Sequence, residues 1–445
     1  MRFLFTCHPG DGHFRPMVPL GKALQKAGHD VAFATAESFR GAVERQGFTH
    51  HRAGLEWDES RIEETIPDIL DVPRIGRPIW MMDEVFLNRS PRQMVPDLLA
   101  IAEAERPDLL VVNNYEMAGV LVAERLGLPY VTCNISFRWP RRLIKRVCGA
   151  GLKTLRRDLG FPADPACAAY GRYLDLCVMP ATWNMGEAIA DPFWGEVISA
   201  RTRPQFGMSL KARLVRKAIQ LEEARFKRSE PTEKNVLYAR PGSSNPGGPR
   251  PAALDGLPDQ PTVYVSLGTV FNTQFPEVFD VILEGLRDEP INVVMTLGPG
   301  GDPQRFGPQP ANVRIERFIP QADLLPHVDL CVNHGGYGTV IEPLSLGIPQ
   351  VILPLSADQP IIALLGRAHG VAALAPVATQ DLMTGPVPLP VIDPARLTPA
   401  DVRDLVVGVL ASTELRAAAQ RMQATLSALP GPDDVVEALV ALAGR

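Results

Sequence analysis

The sequence predicts an α/β protein with two doubly wound parallel sheets, one in each half of the chain. A strand over Arg2–Cys7 and the strand DVAFAT flank a segment whose apolar residues recur at helical spacing, which indicates a β-α-β unit. A second series of strands and helices starts at TVYVSLGT, after a stretch rich in Pro and Gly. At 445 residues the chain is too long for one typical core, so two domains are expected.

The first half continues with strands predicted at 109–112, 130–133 and 175–179 and with a helix at 117–126. The segments 56–97 and 137–157 are predicted to be irregular. In a doubly wound domain such insertions lie at the carboxyl ends of the strands, so we expect them to form a ligand pocket and its lid. The second segment is rich in Arg and Lys, a composition that also fits a solvated amphipathic helix or contact with a membrane surface.

The second half follows a Pro- and Gly-rich connector, RPGSSNPGGPRPAALDGLPDQ. Its strands are predicted in TVYVSLGT, NVVMTLG and NVRIERFI, with a helix at Pro276–Leu286. Three helices are predicted at the end of the chain, at Ala400–Leu410, Glu414–Ala428 and Asp433–Ala443. The predicted organisation is a domain over 1–238, a linker over 239–260, a second domain over 261–430 and a C-terminal helix over 431–445.

The stretch 318–359 carries the strongest functional signal. A strand at Leu330–Asn333 leads into a glycine-rich turn at His334–Gly338, then into a helix at Thr339–Leu346 and a strand at Gln350–Leu355. The polar pair Asp358–Gln359 follows. Backbone N–H groups and the positive end of the helix dipole meet at such a turn, and both favour phosphate. A phosphorylated ligand is therefore predicted here.

Three motifs of this stretch, FIPQ, HGGYGTVIE and ADQ, resemble the donor-binding signature of the UDP-glycosyltransferase superfamily, and most closely its bacterial antibiotic-tailoring branch. Each motif alone also fits an ordinary turn or helix surface. The resemblance implies two Rossmann-like domains facing across a cleft (the GT-B fold), with the last helix crossing back to the first domain. It also implies the donor site. In that resemblance the nucleobase and ribose would contact Phe318, Ile319, Gln321 and Glu342. The pyrophosphate would contact Gly268, Thr269, His334, Gly336, Gly338 and Thr339. The donor sugar would contact Asp358 and Gln359.

The segment GDGHFRP resembles the family's loop that carries the catalytic base, here His13. A neutral imidazole can take the proton of a hydroxyl group near neutral pH. In many relatives an Asp after the fourth strand orients the base, whereas this chain has Asn113. Asp11 and Glu116 lie close in sequence, so the orienting group is left open among these three residues. A second departure is Ile362, where relatives commonly have Asn.

Several classes of ligand are disfavoured. The chain lacks a D-x-D motif, so no metal and no other cofactor is expected, and it lacks G-x-G-x-x-G, which counts against a nicotinamide enzyme. Residues 236–445 carry 12 Lys and Arg against 21 Asp and Glu, which argues against nucleic acid.

The six cysteines lie mostly in apolar contexts and are expected to be buried thiols. With neither a signal peptide nor a membrane-spanning run, a cytoplasmic enzyme is expected.

The sequence therefore predicts an inverting, metal-independent glycosyltransferase that moves a sugar from a UDP- or dTDP-sugar to a hydroxyl of a lipophilic natural product. Two alternatives stay open: a transferase acting on a membrane lipid, and a catalytically weak nucleotide-binding partner protein of the same fold. The sequence leaves open the acceptor, the sugar, the base and whether the protein is a monomer or a homodimer.

Overall fold

The computed structural model describes residues 1–73, 76–138, 141–184, 235–242, 247–298, 300–375 and 394–444. Two parallel sheets organise these residues, one in each half of the chain. The fold class predicted from the sequence is confirmed.

The first sheet has seven parallel strands in the order β3-β2-β1-β4-β5-β6-β7. Phe3 in β1 pairs with Val31 on one side and with Leu109 on the other. The strand order therefore reverses between β1 and β4, and the loops that follow these two strands diverge to open a crevice. The strands are β1 (Arg2–Thr6), β2 (Asp30–Thr35), β3 (Thr49–Arg52), β4 (Leu109–Asn113), β5 (Tyr130–Asn134), β6 (Leu174–Cys177) and β7 (Val236–Tyr238).

The second sheet repeats this arrangement with six parallel strands in the order β10-β9-β8-β11-β12-β13. Its strand order reverses between β8 and β11, where Val332 pairs with Val265. The strands are β8 (Thr262–Ser266), β9 (Asn292–Thr296), β10 (Val313–Glu316), β11 (Leu330–Asn333), β12 (Gln350–Ile352) and β13 (Ala372–Leu374).

Helices cover both faces of each sheet, as the buried apolar strands require. In the first half the α-helices are Asp11–Phe14, Val18–Lys26, Arg40–Arg45, Ile62–Thr65, Arg77–Trp80, Ser90–Glu105, Ala118–Leu126, Arg141–Val147 and Gly149–Asp158, with a π-helix at Met81–Arg89. In the second half they are Phe271–Gln274, Pro276–Leu286, Gln321–Leu324, Tyr337–Ser345, Gln359–Ala368, Pro399–Ala411, Thr413–Ser427 and Pro432–Ala443.

The segment 137–157, predicted to be irregular, contains two helices. The second helix buries Leu152 and Leu155. These two apolar positions were not recognised as a helical pattern because basic residues surround them in the sequence. Two of those basic side chains face inward: Arg156 binds Glu124 with 2.8 Å between Nη2 and Oε1, and Arg138 lies 3.4 Å from Asp175. These internal ion pairs reduce the positive charge available to a membrane surface.

The C-terminal helix Pro432–Ala443 crosses back to the first domain, as the resemblance implied. Its residues Val435, Leu439 and Leu442 are buried in the same apolar cluster as Phe3 and Val31. Backbone contact reinforces the crossing, because the N–H of Arg240 donates to the carbonyl of Pro430 at 2.9 Å. The end of the chain therefore ties the two halves together.

The six cysteines are buried free thiols, as predicted. Among the residues that the structure describes, none of the helices has the length and apolarity needed to cross a bilayer.

Candidate active site

The glycine-rich turn after β11 is held by buried amide side chains. Asn333 Oδ1 accepts from the N–H of Gly335 at 2.8 Å, and Asn333 Nδ2 donates to Gln350 Oε1 at 2.6 Å. Gly335 has φ +88°, a conformation that favours glycine. The helix begins at Tyr337, two residues earlier than predicted, and Gly336 is its N-cap residue. Gly338 therefore lies in the first helical turn, where backbone N–H groups have no partner within the helix.

His334 packs between the two glycine turns that end β8 and β11. A Cβ at Gly268 would lie 2.6 Å from His334 Cε1, and one at Gly336 would lie 2.5 Å from His334 Nε2. Only glycine fits both positions, and Gly268 also has φ +73°. Burial lowers the pKa of His334 to about 4, although the Ser266 backbone opposes the shift. The imidazole is therefore neutral at pH 7 and lies beside the proposed pyrophosphate turn.

The residues predicted to hold nucleobase and ribose lie at the rim of the same turn. Phe318 is 60% exposed, whereas its neighbour Ile319 is buried. Burial raises the pKa of the Glu342 carboxyl, and Arg15 and Gln321 oppose that shift. The Thr339 hydroxyl donates to the carbonyl of Gly336 at 2.8 Å, so it currently closes the turn.

The Asp358–Gln359 pair follows a loop in which Ala357 has φ +55°. Gln359 Oε1 accepts from the N–H groups of Leu355 and Ser356, both at 2.9 Å, and so holds this loop. The side-chain oxygen of Gln359 is therefore engaged, and only its side-chain N–H₂ group is left to bind a sugar hydroxyl. Asp358 is half-buried, and desolvation raises its pKa. Ile362, where relatives commonly have Asn, is buried in an apolar cluster.

His13 lies in the short helix after β1 and contacts the end of β4. Its Nδ1 is 3.1 Å from Asn113 Oδ1, and the N–H of Tyr115 donates to the same oxygen at 3.1 Å. The second donor identifies this Asn113 atom as the oxygen, so His13 Nδ1 carries the hydrogen of their bond. Of the three candidates for orienting the base, the structure therefore brings Asn113 to it.

The other two candidates have different partners. Asp11 pairs with Arg15 at 2.9 Å. Glu116 is buried and accepts from Thr6 Oγ1 at 2.8 Å and from the N–H of Gly119 at 2.9 Å, which caps the helix Ala118–Leu126. The two alternatives that the sequence left open, Asp11 and Glu116, therefore do not contact the ring, because proximity in sequence did not bring these side chains to it.

Glu59 is a functional candidate that the sequence did not reveal. Its Oε1 is 3.2 Å from His13 Nε2, the ring nitrogen opposite Asn113. Burial acts to lower the pKa of His13, but Glu59, Asn113 and Asp358 together outweigh it, so the pKa is raised. The rings of His8, Phe86 and Tyr115 contact the His13 ring, and Trp57 packs against His8.

One cavity of 660 Å³ joins the two halves of the site. It is lined by His13 and Glu59 on one side and by the glycine turns, Phe318 and Asp358 on the other. All the predicted site residues except Asn113, which lies beneath His13, reach its wall. The end near His13 is largely apolar, with side chains Trp57, Ile62, Ile69, Met81 and Phe86. Such a wall suits a lipophilic ligand.

The chain is similar to several known proteins. Residues 282–442 match the family model of the erythromycin biosynthesis protein CIII-like C-terminal domain. The chain is 28% identical to 4'-demethylrebeccamycin synthase of Lentzea aerocolonigenes over 99% of both proteins. It is 26% identical to aklavinone 7-beta-L-rhodosaminyltransferase of Streptomyces galilaeus, over 100% of this chain and 96% of that relative. The crystal structure of glycosyltransferase VinC in complex with dTDP superposes with a TM-score of 0.70 at 23% identity, over 100% of both chains.

The two facing domains and the superposition on VinC define the GT-B fold. Together with the named relatives, they define the chain as a glycosyltransferase. The resemblance to the bacterial antibiotic and natural-product branch of the UDP-glycosyltransferase superfamily is confirmed by these relatives.

Proposed function

We propose that this enzyme is an inverting, metal-independent glycosyltransferase that uses a UDP- or dTDP-sugar and glycosylates a hydroxyl group of a lipophilic natural product. One observation carries the proposal: His13 and the HGGYGT turn line the same cavity from its opposite sides. A base on one side and a phosphate-binding turn on the other are the two parts that sugar transfer needs.

The donor would lie on the second domain. Its nucleobase would contact Phe318 and Ile319, and its diphosphate would accept from the N–H groups at the start of the helix Tyr337–Ser345. His334 donates as a neutral imidazole, because its pKa is about 4. Thr269 and Thr339 add hydroxyl groups at this end of the cavity, Thr339 after rotating away from Gly336. These groups stabilise the leaving diphosphate without a metal. The dTDP bound to VinC supports a nucleoside diphosphate as ligand.

The acceptor would lie against the apolar wall near His13, with its hydroxyl at Nε2. His13 takes the hydroxyl proton while the oxygen attacks the anomeric carbon, and the diphosphate departs on the opposite side. A single displacement of this kind inverts the anomeric centre. The names of the relatives support a natural product as the acceptor, since one is a rebeccamycin-type synthase and another acts on aklavinone.

A donor screen followed by product analysis tests the proposal. UDP or dTDP should raise the melting temperature, because a ligand that binds only the folded state stabilises it by mass action. With the matching sugar donor and a lipophilic acceptor such as aklavinone, NMR of the glycoside should show an inverted anomeric centre. A melting temperature unaffected by both diphosphates, or a product with retained configuration, would overturn the proposal.

A further inference from the structure

Glu59 occupies the position at His13 that an acceptor hydroxyl must take. Its carboxylate is 3.2 Å from Nε2, on the ring edge that faces away from Asn113. Gly10 leaves the space for this approach, because a Cβ there would overlap the Glu59 carboxyl group. The contact thus depends on residues from two separate loops of the first domain.

The hydrogen-bond partners of His13 indicate the protonation state of the ring. Asn113 Oδ1 accepts from Nδ1, as the donation from Tyr115 N to the same atom requires. Glu59, as a carboxylate, also only accepts. A ring with acceptors at both nitrogens is satisfied when both carry hydrogen, as in imidazolium. In that form it has no lone pair for an acceptor hydroxyl, so Glu59 has to leave Nε2 before transfer.

We propose that Glu59 is the carboxylate partner of His13: it occupies the place of the acceptor hydroxyl, yields it when the acceptor binds, and pairs with the imidazolium formed by transfer. This inference rests on the proposed function. As the acceptor enters, the Nε2 proton passes to Glu59 and then to solvent. The acceptor O–H bond then breaks and its proton goes to Nε2. The acceptor oxygen forms a bond to the anomeric carbon. The bond between the anomeric carbon and the diphosphate breaks, and its electron pair stays on the departing diphosphate oxygen. Glu59 returns and supplies the charge that Asn113 lacks.

Other charged or titratable groups near the ring are arranged differently. Asp358 faces it from the second domain and acts through space. His8 has its ring centroid 5.3 Å away, and burial lowers its pKa to about 3, so it stays neutral. The Tyr115 ring lies at 5.6 Å, and Asp11 and Arg15 pair with each other. Glu59 is therefore the carboxylate in direct contact with the ring among the described residues.

NMR titration of His13 in the full-length, ligand-free protein tests this pairing without any need for activity. The His13 signal is assigned by its loss in His13→Gln. We expect the pKa of His13 to fall in Glu59→Gln and in Gly10→Ala, which displaces the carboxylate. Glu64→Gln is the matched control, because Glu64 lies in the same segment and is a largely exposed partner of Arg61; the pKa of His13 should stay unchanged there. An unchanged pKa in Glu59→Gln would overturn the inference.

Steady-state kinetics then separates positioning from mere structural support. In Glu59→Gln the acidic limb of the kcat/KM profile should move to lower pH, since the resting ring is no longer held protonated. kcat should fall roughly tenfold to a hundredfold, the factor that a hydrogen bond to a charged group typically contributes. An unmoved limb with unchanged kcat would contradict the role of Glu59. Absence of transfer by the wild type with every donor would instead refute the proposed function and leave the NMR result intact.

Discussion

Tyr115 and Asp358 meet across the cleft, with the phenol oxygen of Tyr115 3.5 Å from Asp358 Oδ2. Tyr115 follows β4 of the first domain, whereas Asp358 ends the loop before the helix Gln359–Ala368 of the second. The same tyrosine is 3.1 Å from Ser136 Oγ through its phenol and donates its backbone N–H to Asn113. One residue thus links the group that orients the base with the loop proposed to hold the donor sugar.

Replacing Tyr115 by Phe removes the phenol contact with Asp358 and keeps the ring against His13. Because the contact is long, at 3.5 Å, we expect it to contribute about 1 kcal/mol, so kcat/KM for the sugar donor should fall roughly fivefold. Affinity for the free nucleoside diphosphate should not change, because Tyr115 lies on the base side of the cavity. Steady-state kinetics and calorimetry measure the two quantities. Weakened diphosphate binding with unchanged kcat/KM would show that the link has been assigned to the wrong part of the donor.

Replacing His334 by Ala should weaken nucleoside diphosphate binding by roughly 1.5–3 kcal/mol, the range for a hydrogen bond to a charged group. Because the pKa of His334 is about 4, the loss should be the same at pH 6 and pH 8. Calorimetry at both pH values measures it, with the exposed His327→Ala as the control. Binding that is equally tight in His334→Ala would mean that the glycine turn does not hold the diphosphate.

The lowered pKa of His334 makes the free energy of unfolding depend on pH. Between about pH 6.5 and 4 the unfolded chain binds a proton at His334 that the folded protein does not, so stability falls as pH falls. At about 1.4 kcal/mol for each pH unit, His334 should account for about 2 kcal/mol of the loss between pH 7 and pH 5. Buried His8, with its pKa of about 3, adds to the loss in the same direction.

Denaturant unfolding of His334→Gln tests this dependence. The free energy of unfolding of this variant should fall by about 2 kcal/mol less than that of the wild type between pH 7 and pH 5. Identical pH dependence in both proteins would show that His334 titrates normally in the folded state. His13 has the opposite sign: its raised pKa stabilises the fold at low pH, and this contribution is lost as pH rises through the folded value.

Replacing Asn113 by Asp places a second carboxylate beside the imidazole. The pKa of His13 should rise further and move the acidic limb of the rate profile to higher pH. Turnover near neutral pH should not increase, because Glu59 already supplies a charge. In a Glu59→Gln background the same replacement should instead restore part of the lost kcat. The pH–rate profiles of the two single variants and the double variant form a cycle that measures this coupling. A severalfold gain in the Asn113→Asp single variant would show that the ring lacks a charged partner.

The sequence predicted the fold and the donor turn because both depend on local signals. Buried strands such as β11 are apolar runs followed by a glycine-rich turn, and the helices near the C-terminus have regular apolar spacing. The strand β3, THHR, was not predicted, since its polar residues show no strand pattern. The three-residue strands β7 and β13 were also not predicted, because segments of this length give little periodicity.

The charge on the base side of the site could not be predicted. Glu59 lies in a segment dense in carboxylates, and nothing in its neighbours distinguishes it. Its contact with His13 depends on the path of the loop after β3 and on the space left by Gly10. Asn113 was predicted because its position, at the end of a predicted strand, matches the Asp that orients the base in many relatives.

Glycoside formation by His13→Ala beside the wild type, at equal saturation with the nucleotide-sugar donor, tests the central claim most directly. The variant should lose transfer by at least a hundredfold, the usual lower range for general base catalysis, while its affinity for UDP or dTDP stays nearly intact because the nucleotide lies across the cleft. His327→Ala should retain the full rate. Transfer at the wild-type rate in His13→Ala, or a loss of nucleotide affinity comparable to the loss of rate, would contradict the assignment of His13 as the base.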